Sequence, residues 1–234
     1  MVVNLLILGH AGSGKSTLVK NFSEFLRGSY SVKTVNLDPA STPCYTASID
    51  SRKFVRTEDI MKRFNLGING ALMKSMEMLK DYIDHLIVKD DIVLYDTPGQ
   101  LELFLFTDFG EVFSERLGKD TTAIFLIDSG LCRSPEKYLS AIFQSAVISL
   151  RTGVETITIF NKADISSPPK FEEVVEYIEQ EEGVLPELLK GILPFRELTS
   201  LRFREMVISA RNGTGFDELI GMINEIHCSC GDLS

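Results

Sequence analysis

The sequence has no excess of basic residues, since 24 Lys and Arg stand against 33 Asp and Glu and give a formal net charge of −9. Such a chain lacks the positive charge that displaces counterions from nucleic-acid phosphates. A local basic groove is still compatible with this composition. We therefore expect no direct nucleic-acid partner.

Long apolar runs are also missing. None reaches the roughly 18 residues that indicate a membrane span, so we expect no membrane partner. The apolar N-terminus has no basic leading region and runs into a glycine-rich stretch, so a first strand explains it better than a signal peptide. The cysteines are few and show no framework spacing, which predicts a cytoplasmic protein with free thiols at Cys44, Cys132, Cys228 and Cys230.

The chain does contain a regular alternation of apolar runs and helical patterns. Several of the apolar runs are almost continuous Val, Ile, Leu and Phe, the pattern of strands that helices cover on both faces. The fold class predicted is α/β, a doubly wound and mainly parallel sheet flanked by helices. We expect one domain over 1–234, with a possible small helical insertion around 183–204. Strands are predicted at 2–8, 32–37, 91–96, 122–128, 156–160 and 205–209, and helices at 15–26, 57–65, 70–87, 136–151, 170–181 and 215–227.

A phosphate-binding loop is predicted directly after the first strand. Residues 9–16 read GHAGSGKS and fit the pattern G-x-x-x-x-G-K-[ST]. Backbone N–H groups of such a loop point at phosphate oxygens, and the N-terminus of the following helix adds favourable charge. Lys15 would contact the β- and γ-phosphates, and the Ser16 hydroxyl would contact Mg²⁺, which we expect as cofactor. The predicted nucleotide-binding residues here are Gly12, Ser13, Gly14, Lys15, Ser16 and Thr17.

The base is predicted from the loops that follow the fifth and sixth strands. Asn161, Lys162 and Asp164 occupy the fixed positions of the pattern N-K-x-D. The Asp164 carboxylate could accept hydrogen bonds from the N1–H and the exocyclic amine of guanine, where adenine has no donor. Asn161 would brace the loop and the Lys162 stem would lie along the base. A backbone amide at Ser209 or Ala210 could reach the guanine O6. Because Asp164 would select guanine, we expect GTP as substrate and GDP as product.

A hydrolytic centre is predicted after the third strand, where residues 96–100 fit D-x-x-G-Q. Asp96 would belong to the Mg²⁺ shell, the Gly99 amide would reach the γ-phosphate, and Gln100 would orient the attacking water. Glu102 is a second candidate for positioning that water, with a plain surface carboxylate as the alternative. Asp38, in an Asp-Pro pair after the second strand, suits the Mg²⁺ shell or the attacking water; a turn-forming residue is the alternative.

Together these motifs carry a resemblance to a known family. NLDPA, DTPGQLE, NKAD and a glycine–asparagine loop between the second and third strands resemble the GPN-loop GTPases, from residue 1 to about 215. The resemblance implies a SIMIBI-class P-loop fold, GTP hydrolysis and a homodimeric switch in the assembly of a protein complex with an unidentified client. The compact chain is more similar to the single archaeal form than to the eukaryotic members, which are associated with RNA polymerase assembly and transport.

The family's signature loop reads Gly-Pro-Asn and reaches the partner chain's phosphate site. The matching residues here are Gly67, Ile68 and Asn69, in an insertion around 57–87. Ile68 in place of proline should reduce preorganisation, while Asn69 keeps the amide that would assist catalysis at the phosphate. We expect Gly67 and Gly70 to let the loop turn. The alternative is an ordinary helix–helix turn with a left-handed asparagine.

His10 stands where the resembling family usually has proline. Arg52 and Arg56 are expected to be surface or structural residues, with a catalytic arginine as the less favoured alternative.

The apolar segment 101–113 should be mostly core, with some residues becoming exposed to a partner when the switch moves. A non-hydrolysing scaffold stabilised by nucleotide stays open, whereas a small-molecule kinase would not need the N-K-x-D pattern or a glutamine at position 100.

A metal-insertion GTPase is another alternative. His227, Cys228 and Cys230 could bind a metal ion, although they lack the two-pair spacing of a strong zinc site. A C-terminal tail with reduced thiols is the favoured interpretation of these residues.

Overall fold

The computed structural model describes residues 2–183, 186–191 and 206–228. Within these residues the strands are β1 (Val3–Leu8), β2 (Val32–Asn36), β3 (Ile49–Asp50), β4 (Ile92–Asp96), β5 (Thr121–Asp128), β6 (Glu155–Asn161) and β7 (Met206–Val207). The helices are α1 (Lys15–Leu26), α2 (Thr57–Phe64), α3 (Ile68–Leu79), α4 (Ile83–Leu86), α5 (Leu101–Leu105), α6 (Asp108–Leu117), α7 (Pro135–Thr152), α8 (Phe171–Gln180), α9 (186–191) and α10 (Phe216–Cys228).

The strands form one parallel sheet in the order β3-β2-β4-β1-β5-β6-β7. All six residues of β1 are buried, because alternate side chains enter two different cores. Leu6 and Leu8 join a core with residues of α3, α5, α6, α7 and α8, whereas Leu5 and Ile7 join a core with residues of α1 and α10. The doubly wound parallel fold predicted from the sequence is thus confirmed.

The departures from the predicted elements have local causes. β3 was not predicted, since a two-residue strand has no periodicity to detect. The helix predicted at 70–87 is divided into α3, a 3₁₀ turn at Lys80–Tyr82 and α4. Most of the insertion expected at 183–204 lies outside the described residues.

The apolar segment 101–113 folds into α5 and the start of α6. Its core prediction is correct for most of the segment, with Phe104, Phe109 and Phe113 fully buried and the last two rings stacked. Phe106, at the corner between the two helices, is 61% exposed and lies under the guanidinium of Arg151. The corner between α5 and α6 is therefore packed on its inner side, and Phe106 is an exposed apolar residue on its outer side.

Gly110 is required at this corner, and its replacement by alanine is predicted to destabilise the protein. A Cβ at Gly110 would overlap the carbonyl oxygen of Phe104, a backbone atom that cannot rotate away. Overpacking of this kind costs roughly 1–3 kcal/mol of unfolding free energy, measurable by denaturant titration. Gly221→Ala is the matched control, because a Cβ on that α10 residue meets nothing within 4 Å. Equal stability of the two variants would contradict the packing described here.

Candidate functional site

The phosphate loop connects β1 to α1 at the carboxyl edge of the sheet, where ligands bind in open parallel sheets. Gly14 has φ of +100° and caps α1, which begins at Lys15. A Cβ at Gly14 would overlap the side-chain amide of Asn161, so glycine is required there for both conformation and space. The loop and the N-K-x-D segment, 147 residues apart from Gly14 to Asn161, are thus in direct contact.

Lys15 lies inside the curl of this loop. Its Nζ donates to the carbonyl oxygens of Gly9 and His10 at 2.8 and 3.2 Å. Burial lowers the pKa of Lys15, while the carboxylates of Asp96 and Asp38 oppose that change. The ammonium group is therefore already held where an entering polyphosphate would meet it.

Asp96, at the end of β4, is the most buried carboxylate of the site, with 2% of its surface exposed. Tyr45 Oη donates to its Oδ2 at 3.1 Å, whereas Oδ1 has no hydrogen-bond partner among the described residues. Burial raises the pKa of Asp96 to about 6, against the lowering influence of Ser16, Lys15 and Tyr45. Burial, followed by the nearby Asp96, also raises the pKa of Tyr45, so its phenol is a donor at neutral pH.

These residues fit a magnesium ion. Mg²⁺ prefers hard oxygen ligands and binds through one or two carboxylates together with substrate phosphates. The Oδ1 atom of Asp96 is a buried carboxylate oxygen without a partner in the described chain, and the Ser16 side chain lies beside the same carboxyl. Ser16 and Asp96 are therefore the residues that would hold the ion, with Asp38 as the third predicted contributor.

Asp38 connects two of the predicted catalytic segments. Its Oδ1 accepts from the backbone amides of Ala40 and Ser41 at 2.8 and 3.2 Å, so the turn-forming role is present. Its Oδ2 accepts from the Gly99 amide at 3.3 Å. The amide predicted to bind the γ-phosphate is thus paired with a carboxylate in this structure.

The two candidates for positioning water stand at the start of α5. Gln100 is the N-cap residue of that helix and Glu102 lies in its first turn, and both are exposed. Neither side chain makes a hydrogen bond to another residue in the described part of the chain. Their place next to Gly99 is compatible with the predicted role, which stays a prediction.

The two base-binding loops are joined by direct side-chain contacts. Ser209 Oγ donates to Asp164 Oδ1 at 2.6 Å, and this hydrogen bond lowers the pKa of the exposed Asp164 carboxyl. Asn161 Nδ2 donates to the Ser13 carbonyl at 2.8 Å, so Asn161 braces the phosphate loop. Ser209 was predicted only for its backbone amide; the hydrogen bond from its buried hydroxyl to Asp164 was missed.

The contact between a Ser209 or Ala210 amide and the guanine O6 stays a prediction, because both amides are paired within the protein in this structure. The Ser209 amide donates to the Thr214 carbonyl at 3.1 Å, and the Ala210 amide donates to Asn161 Oδ1 at 2.8 Å. These pairs satisfy two buried backbone donors within the protein itself. The Arg211 amide is the next along the chain and makes no hydrogen bond within the described residues.

Lys162 has a contact that the sequence analysis missed. Its backbone is left-handed, with φ of +70°, and its Nζ lies 2.6 Å from Asp128 Oδ2. Asp128 ends β5 and also accepts from the Gly130 amide at 2.9 Å. Asp128 could have been identified from its position in the sequence, because a carboxylate at the end of a buried parallel strand lies at the ligand-binding edge of the sheet.

The turn between α2 and α3 differs from the predicted one. The left-handed residue is Asn65, with φ of +52°, which ends α2. Gly67 is extended, with φ of −67° and ψ of 168°, while Ile68, Asn69 and Gly70 already belong to α3. Gly67 lies in the turn without using the left-handed region, and Gly70 lies inside α3, so the expectation is wrong for Gly70. The alternative, a helix–helix turn with a left-handed asparagine, is the one observed, at Asn65. Asn69 is exposed at the start of the helix.

Ile68→Pro is predicted to stabilise the protein. Ile68 is the first residue of α3, where the fixed φ of proline suits the helix and no intrahelical N–H bond is lost. The preceding Gly67 is extended, as a residue before proline must be. We expect a gain of about 0.4–1 kcal/mol in unfolding free energy by denaturant titration. A loss of stability would show that the helix does not begin at this residue.

The remaining candidates are engaged elsewhere. Arg52 Nη2 lies 2.7 Å from Asp50 Oδ2 and its Nη1 donates to Thr42 at 2.6 Å, which matches the structural role favoured for it. Arg56 Nε donates to the Arg52 carbonyl. The His227 ring lies 3.0 Å from the Thr122 hydroxyl, and burial lowers the pKa of that ring. Cys230 and the Cys228 side chain lie outside the described residues.

Within 2–183, 186–191 and 206–228, no group of three or more His, Cys, Asp and Glu side chains is placed to hold a metal ion. In the same ranges, none of the helices is both long and apolar enough to cross a membrane.

Comparison with known proteins places this geometry in a family. A family model described as "Conserved hypothetical ATP binding protein" matches residues 7–229. The GPN-loop GTPase PAB0955 of Pyrococcus abyssi is 33% identical over 98% of this chain and 99% of its own length. GPN-loop GTPase 1 of Dictyostelium discoideum is 28% identical over 94% of this chain and 60% of its own length.

A solved structure agrees with the sequence relatives. The apo form of the Pyrococcus abyssi GTPase PAB0955 superposes with a TM-score of 0.79 at 32% identity, over 97% of this chain and 98% of that one. The description of the family model names ATP, whereas the named relatives are GTPases. Asp164 occupies the last position of N-K-x-D, the pattern that favours guanine. The chain therefore belongs to the GPN-loop GTPase family and is a GTPase with a P-loop α/β fold.

Proposed function

We propose that this chain is a Mg²⁺-dependent GTPase switch that acts as a homodimer. Asn69 of each subunit completes the partner's site, and the GTP and GDP states control assembly of a protein complex. The observation that carries the proposal is the hydrogen bond between Asp38 and the Gly99 amide. It links the segment after β2 to the segment after β4 through a group that a γ-phosphate would replace.

The exchange at Gly99 gives the switch a physical basis. A γ-phosphate oxygen is a charged acceptor, as Asp38 Oδ2 is, and would take the Gly99 amide when GTP binds. Asp38 would then lose that donor and become available to the metal or to the attacking water. After phosphate release the original pair re-forms, so the segment that starts at Asp38 differs between the GTP and GDP states.

Hydrolysis requires water to attack the γ-phosphorus as the bond to the β–γ bridging oxygen breaks, giving GDP and phosphate. Gln100 would orient this water, with Glu102 as the second candidate, and Lys15 would stabilise charge on the β- and γ-phosphates. A bound Mg²⁺, held by Ser16, Asp96 and Asp38, would neutralise further charge on those phosphates. The proton of the water leaves with the phosphate product.

The partner contribution is supported by two observations. Arg52, the candidate for a cis arginine, is held by Asp50 and Thr42. The tip of the α2–α3 hairpin is exposed over residues 67–70, and Ile68 is 52% exposed. An exposed apolar residue beside a polar asparagine suits a surface that a second copy of the chain covers.

A mixed dimer tests whether Asn69 acts in trans. One chain carries Asn69→Ala and the other Gln100→Leu, with different affinity tags, and the heterodimer is purified through both. One of its two sites then combines an intact Gln100 with the partner's intact asparagine, so we expect about half of the wild-type turnover per dimer. Each parent homodimer should be at least tenfold slower.

Two results would contradict the proposal. A heterodimer as slow as the parents, under conditions where wild-type heterodimers are fully active, would show that Asn69 acts within its own chain. Failure to isolate any dimer, with or without GTP, would remove the homodimer itself. Neither result would affect the assignment as a GTPase.

A further inference from the structure

We propose that Tyr45 is a positioning residue for the catalytic divalent cation, acting through Asp96. The inference rests on the proposed Mg²⁺ dependence. Tyr45 lies in the irregular segment between β2 and β3, 51 residues before Asp96, and its hydroxyl donates to Asp96 Oδ2 at 3.1 Å. No sequence motif pointed to it.

The two oxygens of Asp96 are in different situations. Oδ2 receives the hydrogen bond from Tyr45, while Oδ1 is buried and has no partner in the described part of the chain. A buried carboxylate oxygen without a donor is costly unless a ligand completes it. The Tyr45 hydrogen bond fixes the plane of the carboxylate, so that Oδ1 is the oxygen left for the cation or one of its waters.

The donor is held in place by its own packing. The Tyr45 ring is partly buried against the core formed by the inner faces of β1, α1 and α10. The neighbouring Cys44 lies with its sulfur 3.5 Å from the Ser16 carbonyl, so the segment is docked against the start of α1. Tyr45 is thus anchored beside both residues expected to bind the ion, Ser16 and Asp96.

A positioned carboxylate binds a cation more tightly than one free to rotate. Hydrogen bonds to ligating carboxylates fix their orientation, and removal of such an outer partner typically costs 10–100-fold in metal affinity. Mg²⁺ is sensitive to this because it demands near-ideal octahedral geometry. The hydroxyl of Tyr45, rather than its ring, is the group that acts.

The test is Tyr45→Phe, which removes the hydroxyl and keeps the ring. Calorimetric titration of Mg²⁺ into the GDP-loaded chain should show affinity about 10–100-fold below wild type. GDP affinity in excess chelator should be unchanged, because Tyr45 does not contact the phosphate loop's Lys15. Tyr30→Phe is the control, since Tyr30 packs on the same core from the opposite edge of the sheet and its hydroxyl should not affect Mg²⁺.

The outcomes separate the inference from the proposed function. Mg²⁺ affinity equal to or tighter than wild type in Tyr45→Phe, with dependence on Mg²⁺ intact in the wild type, overturns the role of Tyr45 alone. Lower thermal stability without a change in Mg²⁺ affinity also overturns it, because that is the result of a purely structural contact. A wild-type chain that hydrolyses GTP equally fast with Mg²⁺ and in excess chelator overturns the proposed metal dependence as well.

Discussion

Replacing Asp164 by asparagine is expected to lower GTP affinity by about 10²- to 10³-fold, because a charged acceptor is lost and one guanine donor then faces an N–H group. The hydrogen bond from Ser209 lowers the pKa of Asp164, so the wild-type carboxyl is ionised at neutral pH and accepts at both oxygens. The asparagine variant carries one acceptor and one donor. That pattern matches a purine with a carbonyl at C2, and XTP should bind more tightly to the variant than to the wild type.

The measurement is a competition titration of GTP, XTP and ATP against a fluorescent guanine nucleotide. Asp217→Asn, a change of the same kind in the first turn of α10, should leave all three affinities unchanged. If Asp164→Asn keeps wild-type affinity for GTP, the base is recognised elsewhere and the N-K-x-D assignment fails.

Gln100→Leu is predicted to reduce turnover of GTP about 10²-fold while leaving the affinity for GTP nearly unchanged. Gln100 is exposed at the N-cap of α5, next to the Gly99 amide, and contacts no base-binding residue. Its loss should therefore affect only the step in which water is oriented. Single-turnover hydrolysis and nucleotide titration on the same preparation separate the two quantities.

Two controls make the result specific. Gln180→Leu, at the end of α8, makes the same chemical change away from the site and should have wild-type kinetics. Glu102→Gln tests the second candidate for water positioning. Unchanged turnover in Gln100→Leu together with a large loss in Glu102→Gln would transfer the role to Glu102. Unchanged turnover in both would contradict the predicted hydrolytic centre.

The parts of the fold that the sequence predicted well are those with a local signal. The bounds of α1 follow directly from the phosphate loop before it and the apolar periodicity within it. The buried strands β1, β4 and β5 contain continuous apolar runs, whereas β6 alternates threonine with isoleucine. The parallel order follows from the alternation of strands with helices. The N-K-x-D and D-x-x-G-Q segments lie at the carboxyl edge for the same reason.

What the sequence did not predict depends on contacts between distant segments. The hydrogen bond from Tyr45 to Asp96 arises in an irregular segment, whose path is determined by packing against α1. The amide of Ala210 is taken by Asn161, a choice made by loop geometry and not by residue type. At the α2–α3 turn, both Asn65 and Gly67 can adopt a left-handed conformation, and only the folded chain shows that Asn65 does so.

The most direct test of the whole account is a comparison of two nucleotides on the wild-type chain. Calorimetric titrations with non-hydrolysable analogues of GTP and ATP, each with Mg²⁺ present, measure the discrimination that Asp164 should produce. We predict that the guanine analogue binds at least about 10³-fold more tightly, as expected for a site built to hydrogen-bond a donor that the competitor lacks. Equal affinity for the adenine analogue would contradict the central claim.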